Sequence, residues 1–375
     1  MNPRERMLTV LDHREPDRVP LTASLCLDLK IKLRNHYRVN NDEETFQKLG
    51  IDFFRSGVGI SPPKKWKPTV EFLNLCKGMG RESNLEYEYT IFKEWGIERK
   101  LGQTIPGSAF RNFYFTNHPW EHFNEVSQVE EAELPDLDAP GRFDTAIKQL
   151  KDYGDVRFIN ACINNCQWTR AWMLRGFMKF MKDLHTNPKM AEAILDKLND
   201  YYIDMADRLL DLGTMGLYIA EDWGSNKSLF INPKMWRNIF KPRYKSLFNR
   251  AKKHNGFVFF HSDGNITPIV GDLVDIGVDS LNPIQEDCMN PFEIKKKYGD
   301  KLTLDCGMSV QKTLPYGTVE DVKKESSHAL MHLAPGGGFI YGTSNVAQFD
   351  VPLENIISLY DTCKKKGEYP INIEL

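Results

Sequence analysis

The stretch Gly256-Phe257-Val258-Phe259-Phe260-His261-Ser262-Asp263-Gly264-Asn265 decides the fold class. An apolar run suited to a buried strand leads directly into a histidine, an acid and a glycine. That order sets His261 and Asp263 at the carboxyl end of a strand, where parallel α/β folds hold their ligands. Taken alone, the stretch also reads as a strand closed by a turn, with His261 satisfied by a neighbour. The choice depends on what else in the chain reaches the same end.

Outward from this stretch, strand-like and helical patterns alternate. Strands are expected at residues 19–23, 51–54, 156–161, 216–220, 256–260, 280–284, 302–304 and 338–341, most of them followed by a helix. Eight such units predict a (β/α)8 TIM barrel, a single domain over residues 1–375. A doubly wound open sheet is the runner-up, but no Gly-x-Gly-x-x-Gly follows any strand. Residues from about 60 to 125 depart from the alternation. The segments 87–92, 96–101 and 110–115 show period-two patterning and predict an antiparallel β excursion or lid.

Composition excludes several function classes. The 375 residues are 41% hydrophobic and 27% charged, with a net charge of -2, which gives no electrostatic case for nucleic acid or an acidic membrane. Nowhere do eighteen apolar residues run together, so no membrane span is expected. The charged start, Met1 to Arg6, does not read as a signal peptide. Seven scattered cysteines predict free thiols and a cytoplasmic location.

If the barrel is right, residues after each strand share one mouth. Asn164 follows the third strand, and Glu221-Asp222-Trp223 follow the fourth. His261 and Asp263 follow the fifth, Asn282 and Gln285 belong to the sixth, and Cys306 ends the seventh. Imidazole, thiolate and carboxylate together suit Zn²⁺, with three protein ligands and an open position. His261 and Cys306 are the first candidates for ligands, then Glu221 and Asp263. Cys306 also reads as a small buried residue beside the core. Glu221 and Asp222 read equally as groups that orient a substrate or hold the loop. Trp95, Trp168, Trp172 and Trp223 fall near the mouth, where rings sandwich a planar substrate. For Trp172, core packing is the better reading.

Several stretches resemble the uroporphyrinogen decarboxylase superfamily, in its methyltransferase-like branch. These are Arg4-Glu5-Arg6-Met7 with His13-Arg14-Glu15-Pro16-Asp17-Arg18-Val19-Pro20, then Trp172-Met173-Leu174-Arg175-Gly176. Most specific is the series Glu221-Asp222-Trp223-Gly224, Phe240-Lys241-Pro242-Arg243-Tyr244, His261-Ser262-Asp263-Gly264-Asn265 and Leu281-Asn282-Pro283-Ile284-Gln285. Pro335-Gly336-Gly337-Gly338-Phe339-Ile340 and Asp350-Val351-Pro352-Leu353-Glu354-Asn355 fit as well. The resemblance implies a (β/α)8 barrel over nearly the whole chain. The decarboxylases of the superfamily carry Arg-Gln-Ala-Gly-Arg after the first strand. Here the region reads Leu21-Thr22-Ala23-Ser24-Leu25-Cys26-Leu27-Asp28, without arginines. The other chemistry of the superfamily is methyl transfer to a corrinoid protein, often with zinc held by a His-x-Cys pair and a later cysteine. This chain has His261-x-Asp263 instead, and Ser344 near the later position, which implies a harder, oxygen-richer site.

The resulting expectation is an O-demethylase-type methyltransferase. It moves a methyl group from a methoxylated, aromatic substrate to the Co(I) corrinoid (the future methylcobalamin) of a partner protein. Zinc on His261, Cys306 and Glu221 or Asp263 activates the leaving group, with His261, Glu221 and Asp222 as the catalytic set. Asn164, Trp223, Asn282 and Gln285 contact the substrate; the sequence leaves the oligomeric state open, with a homodimer one option. The alternative is a metal-free decarboxylase or lyase acting on a small carboxylic acid held by Arg55 or Arg175. A third reading is a non-enzymatic binding module for a corrinoid protein.

Overall fold

The structure is a computed structural model and describes residues 1–55, 57–63, 93–104 and 111–373. Two strands, β1 (Glu98–Thr104) and β2 (Arg111–Asn117), pair antiparallel. They correspond to the second and third strands expected between 60 and 125. The first, at 87–92, lies outside the described residues.

Six further strands form one parallel sheet in chain order: β3 (Ala161–Asn164), β4 (Gly216–Ala220), β5 (Phe257–His261), β6 (Ser280–Ile284), β7 (Thr303–Met308) and β8 (Phe339–Thr343). Helices separate them, as parallel connections require. The third strand starts five residues later than the sequence pattern suggests, because 156–160 is an irregular run leading into it. The two N-terminal expected strands are reduced to isolated parallel bridges. Leu21 pairs with Tyr341 of β8, Thr22 with Phe53, and Val58 with Ala161 of β3.

Helix entries follow local chemistry. Asn2 and Glu5 make a reciprocal capping box around Pro3 at the head of the helix Pro3–Leu11. Asn232 and Asn290 each accept a backbone N–H at the start of the helices Pro233–Ile239 and Pro291–Tyr298, again with proline in the first turn.

Strand parity divides the core into two layers, and this division positions the site. Cys162, Tyr218 and Phe259 are in register across β3, β4 and β5. With Ile340, Phe53 and Phe158, and with Met7, Val10 and Leu11 of the first helix, they form one buried cluster on one sheet face. Their neighbours Leu217, Ile219, Val258 and Phe260 point the other way and join the larger cluster shared with the helices. Two residues further along β3, β4, β5 and β6, on the same face as Tyr218 and Phe259, the register aligns Asn164, Ala220, His261 and Asn282. This row ends the sheet at its carboxyl edge.

A buried ion pair ties the N-terminal segment to that edge. Arg55 donates to both carboxylate oxygens of Asp305 in β7, at 2.6 and 2.9 Å for its shortest contacts, and to the Thr343 carbonyl at 2.9 Å. Asp305 is fully buried. Among the described residues no helix is long and apolar enough to cross a membrane, and the six described cysteines are free thiols.

Candidate functional site

His261 closes β5 on the inner row, beside Asn282. The Asn282 amide nitrogen donates to the Asp305 carbonyl at 3.3 Å, so its oxygen faces the histidine. That oxygen lies 2.6 Å from His261 Nδ1 and also accepts from the Tyr218 hydroxyl at 3.3 Å. An amide oxygen can only accept, so Nδ1 carries the proton and donates. Nε2 is left with a lone pair directed to the mouth.

Two carboxylates meet that lone pair. Asp222 Oδ1 and Asp263 Oδ1 each lie 3.8 Å from His261 Nε2. The three ligand-type atoms fall within 4.8 Å of one another, the single such group among the described residues. Asp263 Oδ2 accepts from the Asn345 amide at 2.6 Å, but its Oδ1 is buried with no partner. A buried carboxylate oxygen without a donor is costly, by about 1–3 kcal/mol. Burial pushes the Asp263 carboxyl above its ordinary range; His261 opposes this and Asp222 adds to it. A separation of 3.8 Å is too long for a hydrogen bond but close to that of two ligands around one small cation. One imidazole nitrogen and two carboxylate oxygens, converging with no side-chain donor between them, fit a divalent metal ion.

Backbone packing holds the two acids together. The Asp263 N–H donates to Asp222 Oδ1 at 3.1 Å. Behind them the loops press main chain on main chain. Gly264 has φ +81, and a Cβ there would stand 2.3 Å from the Gly224 carbonyl oxygen. Only glycine tolerates both constraints. Gln285, expected to touch substrate, instead accepts from the Gly264 N–H at 2.9 Å and pins this loop. Asn282 likewise serves His261. Asn164 is exposed at the open end of the same row.

The structure leaves Cys306, Glu221 and Trp223 outside the cluster, for one common reason. In β7, Asp305 shares the inner face, so Cys306 points into the helix layer, is 3% exposed and belongs to the outer core. Burial pushes its thiol well above the ordinary range, opposite to what a thiolate ligand needs. Glu221 follows the inner-face Ala220 and therefore also turns outward. It accepts from the backbone N–H groups of Trp168 (3.0 Å) and Thr169 (2.7 Å) and from the Tyr244 hydroxyl (3.0 Å). Glu221 thus holds the start of the helix Gln167–Arg175. Trp223 is fully buried, stacked on Trp168 at 4.7 Å, and donates to the Tyr244 hydroxyl. It cannot sandwich a substrate, and neither can Trp168, which is equally buried. Arg55 is engaged with Asp305. Arg175 pairs with Asp183 at 2.7 Å and donates to the Trp120 and Phe123 carbonyls.

Burial raises the Glu221 carboxyl from 4.5 to about 7, against the lowering effect of its Thr169, Tyr244 and Trp168 donors. Between these values the folded chain keeps a proton that the unfolded chain has released. Stability therefore declines as pH rises through that window and levels off above it. Glu221→Gln is expected to flatten this slope, read as urea midpoints from pH 4.5 to 8. An unchanged slope would mean that Glu221 titrates as an ordinary carboxyl.

A row of polar groups at the carboxyl edge of a parallel sheet, with helices between the strands, defines an α/β protein of the barrel-like class. The chain belongs to the uroporphyrinogen decarboxylase (URO-D) family, whose model matches residues 101–366. The uroporphyrinogen decarboxylase of Vibrio cholerae is 21% identical over 244 residues, which is 61% of this chain. The match spans 65% of that relative's length. A solved methyltransferase from Methanosarcina mazei superposes with a TM-score of 0.65 at 20% identity, covering 97% of this chain and 99% of its own. At that identity the likeness establishes a shared fold.

Proposed function

We propose that this chain is a methyltransferase that moves a methyl group from a methoxylated, aromatic substrate to the Co(I) corrinoid of a partner protein. The reading takes the scaffold as a single barrel domain, and the isolated parallel bridges at Leu21, Thr22 and Val58 support it. The observation that carries this reading is the convergence of Asp222, His261 and Asp263 around the unpartnered Asp263 oxygen. These three residues would hold a zinc ion. When bound, zinc supplies Lewis acidity to the ether oxygen, on which negative charge develops as the methyl leaves.

The chain's own residues do the rest. Asn282 holds the His261 proton on Nδ1 and keeps Nε2 available. The Asp222 side chain, 60% exposed, faces the open side of the cluster and orients the substrate. Asn164, on the same row, offers an amide to polar groups of the ring. The decarboxylase reading loses the two arginines expected to hold its acid, because Arg55 and Arg175 both spend their charge on buried aspartates.

Incubation of the chain with a methoxylated benzoate and reduced cobalamin tests the reaction. Loss of the Co(I) absorbance, dependent on added zinc, is expected. Carbon dioxide release from a carboxylic acid, without methylation of the cobalamin, would favour the decarboxylase instead. Asn282→Leu is expected to weaken metal binding about 10–100-fold, the usual cost of losing the group behind a ligating histidine. Asn282→Asp, which keeps an acceptor, is expected to bind metal at least as well as the parent. Equal affinities in the Leu variant and the parent would remove Asn282 from this role.

A further inference from the structure

The helix Val319–Leu333 carries a pair of imidazoles, far along the chain from the cluster just described. His328 and His332 are one turn apart on the same helix face, both exposed. Their ring centroids are 4.3 Å apart, with 40° between the planes. We propose that these two residues form a surface site for a divalent transition-metal ion that prefers imidazole, Cu²⁺ or Ni²⁺ ahead of Zn²⁺.

Three features besides spacing support the site. His332 Nδ1 lies 2.9 Å from the His328 carbonyl oxygen. A carbonyl accepts, so Nδ1 carries the proton and Nε2 keeps its lone pair. The Phe292 ring meets both imidazoles edge-on, at 5.2 Å from His328 and 5.9 Å from His332. That contact narrows the rotamers of both side chains before any ion arrives, which lowers the entropic cost of chelation. Burial and the neighbouring His332 lower the His328 pKa, which favours the neutral ring a metal ion needs. The order of metals follows the general preference of nitrogen sites for Cu²⁺ over its neighbours in the series.

This inference stands apart from the methyltransferase reading, and it bears on how that reading is tested, since metal content measured on the whole chain would sum both sites. Ni²⁺ titration by calorimetry on the full chain carrying His261→Ala separates them. About one Ni²⁺ per chain is expected to remain bound. Adding His332→Gln is expected to weaken it on the order of a hundredfold, because the second imidazole no longer acts intramolecularly. His328→Gln, also on an exposed side chain, is expected to give the same loss. Equal Ni²⁺ affinity with and without either histidine would overturn the site and leave the pair as rings packed on Phe292. Metal lost with His261→Ala alone and insensitive to His332→Gln would do so as well, while leaving the first cluster standing.

Discussion

His261→Ala is expected to lower methyl-transfer turnover by on the order of 10²–10³-fold, the usual cost of removing one group that stabilises developing charge. His261 is the only nitrogen ligand in the cluster, and its Nε2 is the atom on which both aspartates converge. Without it, Asp222 and Asp263 are left as adjacent carboxylates with nothing between them. Like charges at that range raise one pKa, so the Asp263 carboxyl, already pushed upward by burial and deprived of the lowering effect of His261, shifts further up. Metal affinity and turnover should therefore fall together, while the thermal midpoint changes little. The ring is partly exposed, and its single hydrogen bond, to Asn282, is the one that Ala removes. Turnover assays beside calorimetric melts check both halves. Full activity in a folded His261→Ala protein would end the metal-centred account.

The largest effect on stability is expected at Asp305. Asp305→Asn leaves the Arg55 guanidinium buried without its counter-charge, which should destabilise the fold by about 3–5 kcal/mol. The change is almost isosteric, so packing contributes little to the loss. Arg55 sits beside the segment whose bridges join β8 and β3, so the weakened pair lies where the N-terminal part of the chain meets the sheet. Arg55→Met combined with Asp305→Leu removes both charges and should recover most of the loss, because two apolar groups need no partner. Urea unfolding of the single and double variants measures this. A double variant as unstable as Asp305→Asn would show that the pair matters for shape instead of charge.

Much of the sheet was legible because each strand is a short apolar run bounded by a turn. Residues 216–220 and 280–284 match β4 and β6, and 256–260 differs from β5 by one residue at each end. The two N-terminal strands were less so. Leu21 and Phe53 lie in segments with strand-like composition, yet each makes only a single bridge. The convergence of His261 and Asp263 at one strand end was legible, because an apolar run leading straight into both residues sets them at the carboxyl edge of the sheet. Cys306 and Glu221, chosen by chemistry and nearness to a strand end, lie outside that cluster. Parity is the signal that decides between such neighbours. Counting in twos from the inner-face Tyr218 and Phe259 reaches Asp222, His261 and Asp263, and passes over Glu221 and Ser262. In β7 the same alternation favours Asp305 over Cys306. What parity could not supply is the turn geometry after β4, where Gly224 against Gly264 brings Asp222 beside Asp263.

The most direct test of the central claim is zinc content per chain, measured by mass spectrometry after dialysis. A His332→Gln background clears the surface pair, and His261→Ala and Asp263→Asn are added to it separately. The account requires about one zinc in the background protein and less than about a tenth of that with either added change. No retained zinc in the background protein, or equal zinc in all three, would contradict it.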